Sequence, residues 1–212
     1  MKRIIWDWNG TLFNDVDLCF GCINRLLKNH GYKPLKDIDA YRSVFGFPII
    51  DYYKKAGFDF EKDSFDLLAK EYMDDYQSKS YDCKLQNDAI EAMEYVINHS
   101  MHQDILSASL YENLMNQIVL FPIQSYVDSI WGIQDIYAKS KMDIARQLKE
   151  TYKEDTLYFI GDSIHDYEVS KEMQANCILV CTGHQSKERL ERTGCIVKDT
   201  LMEAVINIYE TD

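Results

Sequence analysis

Residues 3–11 read RIIWDWNGT, a short apolar run that ends in an aspartate and a turn. The run Arg3–Trp6 predicts a buried β-strand, and the Asp-Trp-Asn-Gly sequence after it predicts a loop at the carboxyl end of this strand. From Val16 to Asn29 the apolar residues recur at helical spacing, and His30-Gly31 is typical of a C-terminal stop. Asp7 is therefore expected to lie directly after a core strand.

Helical patterns continue beyond this first helix as far as residue 80. Further helices are predicted at about 37–45, 48–56 and 63–79, with a break at Phe45–Pro48. No stretch between residues 16 and 80 has a convincing strand pattern. We therefore expect residues 16–80 to form an all-helical insert.

Strands and helices alternate from about residue 87 onward. Predicted strands lie at 104–107, near 129–131, and at 156–160, 177–181 and 196–197. Predicted helices lie at 88–99, from a capping-box pattern at Ser109–Glu112, and at 141–150, 166–174, 187–193 and 201–209. This alternation predicts an α/β fold: a doubly wound, mostly parallel sheet with helices on both faces. The expected domains are an α/β core of residues 1–15 and 81–212 and a helical domain of residues 16–80.

Composition excludes several classes of function. The 212 residues carry a formal net charge of −12, which argues against a nucleic-acid partner because such proteins bind phosphates with lysine and arginine. No stretch approaches the 18 or so apolar residues of a membrane span, and the N-terminal apolar run is too short for a signal peptide. The six cysteines then read as reduced thiols, so we expect a cytoplasmic protein with no membrane association.

Polar side chains follow three of the predicted core strands. Asp7 follows the first strand, Ser107 ends the strand at 104–107, and a Gly-Asp sequence with Asp162 follows the strand at 156–160, with Asp166 close behind. The carboxyl ends of parallel strands meet at one crevice, where α/β proteins bind ligands. Clustered carboxylates repel one another, and a bound cation removes that repulsion; oxygen ligands next to a phosphate favour Mg²⁺.

These segments resemble the four motifs of the haloacid dehalogenase superfamily. Ile4–Leu12 is similar to its first motif, an apolar strand followed by D-x-D-G-T-L, and Ile105–Ser107 is similar to the second. Phe159–Asp166 is similar to the fourth, and Lys141 or Lys139 lies where a lysine is expected. Phosphoglycolate-phosphatase-like members carry a helical cap domain between the first two motifs, which is the position of the helical insert.

The resemblance implies roles for the acidic residues. Asp7 would be the nucleophile that forms an aspartyl-phosphate. Mg²⁺ would be held by the carboxylates of Asp7 and Asp162 and by the backbone carbonyl of Asn9. Asp166 would act behind these ligands, orienting waters or the lysine.

The resemblance also implies a set of phosphate-binding residues. Ser107 and the loop after the nucleophile, including Gly10 and Thr11, would bind the phosphate oxygens. Lys141 would neutralise charge on the nucleophile and the phosphate, and we prefer it to Lys139 because the apolar residues at +3, +4 and +7 place it at the start of an amphipathic helix.

Arg42, next to the Phe45–Pro48 break, lies where a specificity loop of the cap would face the core. It is a candidate for binding a substrate carboxylate or phosphate. A helix-surface arginine is an equally good interpretation of the same pattern.

Asn9 departs from the family pattern, which has an aspartate two residues after the nucleophile to protonate the leaving group. An amide keeps the backbone carbonyl but cannot transfer protons, and general acid–base catalysis is typically worth about 10²–10⁴-fold in rate. The protein is then a slow phosphatase or one that acts on good leaving groups, or another group such as His165 or a cap residue supplies the proton, or it binds a phosphorylated ligand without turnover.

Trp8, between the nucleophile and Asn9, also resembles the phosphonatase branch, which uses a cap lysine; Lys54 and Lys55 are present but read as helix-surface charges. A phosphosugar mutase of the same superfamily is a further alternative. The sequence-based prediction is a Mg²⁺-dependent hydrolase of a small phosphorylated metabolite.

Overall fold

The structure is a computed structural model that describes residues 1–134 and 140–211. Its strands are β1 (Lys2–Trp6), β2 (Phe13–Asn14), β3 (Lys84–Leu85), β4 (His102–Leu110), β5 (Ser129–Ile133), β6 (Thr156–Gly161), β7 (Asn176–Val180) and β8 (Ile196–Lys198). Its helices are α1 (Val16–Asn29), α2 (Ile38–Val44), α3 (Ile49–Ala56), α4 (Phe65–Ser80), α5 (Ala89–Asn98), α6 (Tyr111–Ile118), α7 (Lys141–Thr151), α8 (Ile164–Met173), α9 (Lys187–Glu191) and α10 (Leu201–Glu210).

Six strands form one parallel sheet in the order β5-β4-β1-β6-β7-β8. β1 lies at the centre, between β4 and β6, so the chain crosses to both sides of it. The Asp7 N–H donates to the Ile160 carbonyl over 2.8 Å, which extends the pairing of β1 and β6 to the end of the strand. In such a sheet the crevice for a ligand lies at the carboxyl ends of the strands on either side of the switch point.

Alternate residues of β1 face two different apolar layers. Ile4 and Trp6 belong to a buried cluster that also holds side chains of α5 and α10. Ile5 belongs to a second cluster, with Phe159 of β6 and side chains of α7 and α8. Helices therefore cover both faces of the sheet, which confirms the doubly wound α/β fold expected from the sequence.

The helices α1 to α4 have an apolar core of their own, as the fold prediction requires. Its buried members include Ile23 and Leu27 of α1, Tyr41 of α2, Tyr53 of α3 and Leu68 of α4. The all-helical insert is thus confirmed as part of the fold class, whereas the domain limits at residues 15–16 and 80–81 stay a prediction. Among the described residues no helix combines the length and apolar content needed to cross a bilayer.

A two-stranded antiparallel ribbon of β2 and β3 joins the insert to the sheet, with Phe13 opposite Leu85. The Gln86 N–H also donates to the Leu12 carbonyl over 2.9 Å. The sequence did not indicate this ribbon because each strand has only two residues, too few for a visible alternation.

The start of α6 corrects one prediction. The sequence pattern placed a capping box at Ser109, but β4 continues to Leu110 and α6 begins at Tyr111 with no side-chain cap. Ser109 instead donates its hydroxyl to the side chain of Asn9. The pairing of β4 with β5 shifts register between Leu106 and Leu110, so the strand reaches beyond its regular ladder.

Candidate active site

Three buried carboxylates meet at the carboxyl ends of β1 and β6. Asp7 follows β1, Asp162 follows β6, and Asp166 lies in the first turn of α8. One carboxylate oxygen from each lies within 4.8 Å of the other two. The structure therefore brings together the acidic residues that the sequence placed at this edge.

Lys141 is the cation among these carboxylates. A capping box of Ser140 and Asp143 starts α7 so that Lys141 is its first residue. The buried Lys141 Nζ donates to Asp7 Oδ1 and, over 2.7 Å, to Asp166 Oδ1. Lys139, the alternative lysine, lies outside the described residues.

Asp166 is held by the turn that starts α8. Its Oδ2 accepts the Ser163 hydroxyl over 2.6 Å and the N–H groups of Asp162 and Ser163 over 3.2 and 3.0 Å. Burial alone would raise its pKa, but Lys141 and Ser163 hold the pKa of Asp166 below its usual value. A Cβ at Gly161 would lie 2.4 Å from the Cβ of Asp166, so this strand end requires a glycine. With both oxygens engaged, Asp166 is suited to positioning Lys141.

Asp162 has no partner of opposite charge bonded directly to it among the described side chains. Its Oδ2 accepts the backbone N–H of His184 over 2.6 Å. The Thr11 hydroxyl lies 3.3 Å from both Asp162 Oδ1 and Asp7 Oδ2. Burial raises the pKa of Asp162 to about 6, although the charge of the nearby His184 ring opposes this rise. A Cβ at Gly183 would lie 2.0 Å from Asp162 Oδ2, so the cradle fits this carboxylate only with glycine there.

The donor set fits a divalent cation. Three carboxylates face one ammonium, and burial raises the pKa of Asp7 although Lys141 opposes this rise. The Asn9 carbonyl accepts no hydrogen bond from the described residues, whereas the adjacent Trp8 and Gly10 carbonyls both do. Unpaired oxygens beside excess negative charge are the ligands that Mg²⁺ prefers.

Asn9 is fixed by four neighbours. Its Nδ2 donates to Asp15 Oδ2 and to the Tyr76 hydroxyl, each over 2.9 Å. Its Oδ1 accepts the Ser109 hydroxyl over 3.1 Å, and the Ser107 hydroxyl lies 3.5 Å away. This arrangement needs an amide, because one end of the side chain donates to a carboxylate while the other end accepts from hydroxyls.

Asp15 and His184 form a buried ion pair that the sequence did not reveal. The His184 Nε2 lies 3.2 Å from Asp15 Oδ1, and its Nδ1 lies 2.8 Å from the hydroxyl of Tyr41 in α2. Although burial opposes it, Asp15 raises the pKa of His184 to about 9, so the ring is an imidazolium at neutral pH. In the sequence, Asp15 is only the residue before a predicted helix. His184 lies in a loop that the sequence places at the edge of the sheet, and nothing in the pattern pairs the two residues.

Of the other predicted substrate-binding residues, three lie close to the carboxylates without lining the cavity described below. The Gly10 N–H donates to the Phe13 carbonyl and to Asp15 Oδ1 over 2.8 and 3.0 Å. The Thr11 hydroxyl lies between Asp7 and Asp162, and the buried Ser107 hydroxyl accepts the Ser109 N–H over 3.0 Å.

Arg42 lies elsewhere, at the contact between the helical insert and the loop after β7. Its Nε donates to the Gly183 carbonyl over 2.9 Å, and Arg189 returns a bond to the Phe45 carbonyl over 2.6 Å. Arg42 is not among the described residues that line the cavity, so the geometry favours a structural role for it.

A cavity of about 520 Å³ extends from the carboxylates to the helical insert. Its charged end holds Asp7, Asp162, Asp166 and Lys141 with Asp15, His165 and His184. The remaining described lining residues are uncharged: Asn9, Cys19, Phe45, Phe47, Tyr72, Met73, Tyr76, Gln77, Ser80, Tyr81, Ala108, Ser109, Leu110, Asn113, Gln117 and Ser163. The volume is that of a small-molecule site.

Solved structures share this fold over nearly the whole chain. A predicted phosphatase from Clostridium acetobutylicum has a TM-score of 0.81 at 19% identity, covering 99% of this chain and 98% of its own. A haloacid dehalogenase-like family hydrolase from Streptococcus pneumoniae has a TM-score of 0.81 at 18% identity, with 97% of both chains covered. A Lactobacillus delbrueckii subsp. bulgaricus protein, provisionally assigned as a phosphoglycolate phosphatase, has a TM-score of 0.75 at 15% identity over 97% of both chains.

These identities are low enough that the likeness carries the fold alone. No curated protein matches the chain at a significant level. The family of haloacid dehalogenase-like hydrolases matches residues 4–180, which include all the strand ends that build the site. By this match the chain belongs to the haloacid dehalogenase-like hydrolases, as its motifs predicted.

Proposed function

We propose that this protein is a Mg²⁺-dependent phosphatase that hydrolyses a small phosphomonoester through an aspartyl-phosphate on Asp7. The observation that carries the proposal is the contact of Asp7 with Lys141 inside a cluster where no described side chain of opposite charge is bonded to Asp162. A buried carboxylate beside an ammonium is a suitable nucleophile for phosphorus, since phosphoryl transfer depends on positioning and charge neutralisation.

Asp7, Asp162 and the Asn9 carbonyl would hold Mg²⁺. When bound, this ion supplies positive charge that offsets the carboxylates and the phosphate. The Trp8 and Asn9 N–H groups donate to no acceptor among the described residues, so they are free to bind phosphate oxygens. Together with the Ser107 hydroxyl they form the proposed phosphate site.

The reaction has two steps. In the first, an Asp7 oxygen attacks phosphorus while the bond to the leaving oxygen breaks, and the leaving group departs with the electron pair. In the second, water attacks the same phosphorus, which releases phosphate and restores the carboxylate. Lys141 stays bonded to Asp166 and keeps its positive charge next to the reacting oxygens in both steps.

Asn9 supports a second candidate, a protein that binds a phosphorylated ligand with weak or no turnover. Its amide is committed to Asp15 and Tyr76 and can take no part in proton transfer. The phosphonatase alternative gains no support, because the Lys54 and Lys55 side chains are exposed on α3 and lie outside the described cavity lining.

The physiological ligand in this proposal is a small phosphorylated metabolite. All six cysteines are free thiols, which suits the cytoplasmic location that we also propose. A phosphosugar mutase would use the same first step but pass the phosphate to a second hydroxyl, so the release of inorganic phosphate separates it from a phosphatase.

The test is phosphate release with Mg²⁺ from a panel of simple esters, together with acid-quench trapping of labelled protein. We expect turnover and a labelled Asp7 peptide in the wild type, and neither in Asp7→Asn. Asp17→Asn is the matched control, because Asp17 is exposed in the first turn of α1. Binding without release would favour the second candidate, and turnover that survives Asp7→Asn would refute the mechanism.

A further inference from the structure

The cavity has a charged end and an uncharged end. Beyond the carboxylates and the two histidines, the described lining residues are aromatic, aliphatic or neutral polar. Gln77 and Asn113 contribute amides whose side chains make no hydrogen bond within the described residues. No described lysine or arginine lines this end, so a second anionic group on the substrate would find no cation among the described lining residues.

One wall of the cavity is aromatic. Phe45 and Phe47 lie over the two histidines of the core, with ring centroids 4.7 Å from His184 and 4.5 Å from His165. Tyr72 adds a further ring from the helical insert. Phe45, Phe47 and Tyr72 therefore give this side of the cavity an aromatic surface, against which a planar ring can pack.

The rim of the cavity exposes apolar side chains from three separate segments. Phe47, Met73, Tyr81 and Leu110 are all lining residues, and each is more than a third exposed. Apolar side chains that cluster in solvent at the mouth of a pocket mark a ligand-binding groove. The part of the ligand farthest from the phosphate is therefore expected to be apolar.

Among the described residues, the side chains nearest the carboxylates offer few free proton donors for the leaving oxygen. The Asn9 amide and the Tyr76 hydroxyl are both committed to Asp15, and His184 is held between Asp15 and Tyr41. Of the two described histidines that line the cavity, His165 is the remaining candidate, because only its Nδ1 has a described partner, Glu168 at 3.5 Å. A leaving group that needs no protonation suits a site in which these side chains are already engaged.

The uncharged, largely apolar end of the cavity and the scarcity of proton donors near the leaving oxygen are independent features, and both point to the same substrate. We infer that the natural substrate class is an aryl phosphate: a phosphate ester of a phenolic oxygen on an otherwise uncharged ring, bound with the ring against the aromatic wall. The inference rests on the proposed function and specifies its leaving group.

The chemistry follows from the acidity of phenols. Asp7 forms a bond to phosphorus as the phosphorus–oxygen bond to the ring breaks, and the electron pair leaves on a phenolate that takes a proton from solvent water. A phenol has a pKa of about 10, as tyrosine does, whereas the pKa of an alcohol lies near the value of about 16 for water. Departure without an acid is therefore far easier for phenolate than for an alkoxide.

The test compares phenyl phosphate with benzyl phosphate, which share a ring but differ in the leaving oxygen. We expect kcat/KM for phenyl phosphate to exceed that for benzyl phosphate by about 100-fold or more, the range that a missing general acid produces. Ethyl phosphate and phosphoglycolate form a second pair that differs by one carboxylate, and we expect phosphoglycolate to be the poorer of the two.

A cation placed at the rim should oppose the expected preference for ethyl phosphate over phosphoglycolate. Met73→Lys should raise the ratio of kcat/KM for phosphoglycolate over ethyl phosphate about tenfold, the effect of one charge-assisted bond. Leu67→Lys is the matched control, since Leu67 is exposed on the same helix, α4, but does not line the cavity. An equal effect of both variants would refute the assignment of this rim to substrate binding.

The outcomes separate this inference from the proposed function. Comparable Asp7-dependent turnover of phenyl and benzyl phosphate, with loss of benzyl phosphate turnover in His165→Gln, would identify His165 as the acid and overturn the aryl preference alone. A wild-type preference for phosphoglycolate would overturn it as well. If no ester in the panel is hydrolysed in an Asp7-dependent manner, the proposed phosphatase falls together with the inference.

Discussion

Asn9→Asp is the most informative perturbation, because it places a carboxylate oxygen where the amide now donates to Asp15 over 2.9 Å. Asp15 stays ionised: burial alone would raise its pKa, but His184, Tyr76 and Asn9 lower it. Two ionised carboxylates cannot share this site, so the introduced side chain is expected to hold a proton when the protein is folded.

The cost follows from linkage. The introduced carboxyl loses its proton at about pH 3.9 in the unfolded chain but keeps it in the folded protein, so each pH unit above 3.9 costs about 1.4 kcal/mol until the folded pKa is reached. The free energy of unfolding should fall by about 1.5 kcal/mol at pH 5 and by about 4 kcal/mol at pH 7. The loss therefore grows as the pH rises.

Denaturant unfolding in a chelating buffer at pH 5 and pH 7 measures this difference. Asn87→Asp adds the same charge at an exposed turn and should change the stability by less than about 0.5 kcal/mol. In the swap variant Asn9→Asp/Asp15→Asn, the loss should be smaller than the sum of the single losses by about 2 kcal/mol or more. A loss that is equal at both pH values would refute the reasoning.

The same variant tests catalysis. A protonated carboxyl at position 9 is a general acid, so Asn9→Asp is expected to raise turnover, and to raise it more for benzyl than for phenyl phosphate. Unchanged or lower rates for both esters would remove this explanation of Asn9.

Further predictions concern the cation site, the lysine, the ion pair and the insert. Mg²⁺ at 100 times its Kd should stabilise the wild type by about 2.7 kcal/mol and leave Asp162→Asn unchanged in thermal-shift titrations; a response that survives in the variant contradicts the ligand set. Lys141→Met should abolish turnover and cost about 3–5 kcal/mol because it leaves two buried carboxylates unpaired, whereas Lys139→Ala should retain both properties, and equal effects would mean that the wrong lysine has been chosen. The pKa of His184 is raised to about 9, so its stabilisation is complete below about pH 6.5 and lost as the pH rises through 9, amounting to about 3 kcal/mol; His184→Gln should flatten this part of the stability profile, and a slope that persists would implicate another group. Arg42→Ala should lower stability without raising KM, and a raised KM would restore the substrate-binding role suggested by the sequence.

Sequence periodicity predicted most of the fold because strand and helix patterns differ in this chain. The limits of α1 and the first residue of α7 agree with the predicted ones, since Asn29 precedes a His-Gly stop and Ser140 and Asp143 form a capping box. The start of α6 was mispredicted for a physical reason. The pattern at Ser109 satisfies a capping box locally, but the sheet extends β4 past it.

Some residues of the candidate site could be predicted from the sequence and others could not. Asp7 and Asp162 could be predicted because each follows a core strand, so that topology brings them together. Lys141 was expected from the resemblance to the family, and the start of an amphipathic helix favoured it over Lys139. Asp15 and His184 could not be predicted, because their pairing depends on how the loop after β7 folds back onto the start of α1. No periodicity in the sequence encodes that contact between residues 169 positions apart.

The network around Asp15 gives a physical reason for the amide at position 9. The His184 ring, the Gly10 N–H and the Tyr76 hydroxyl all hold Asp15 as an anion, and the remaining bond to Asp15 must come from a donor. Asn9 supplies that donor through Nδ2, while its free carbonyl keeps the position suited to a cation. An ionised carboxylate at position 9 would repel the Asp15 anion, so the ion pair of Asp15 with His184 favours a neutral side chain at position 9. A phosphatase with an amide at position 9 therefore depends on a leaving group that can depart without a proton from this side chain.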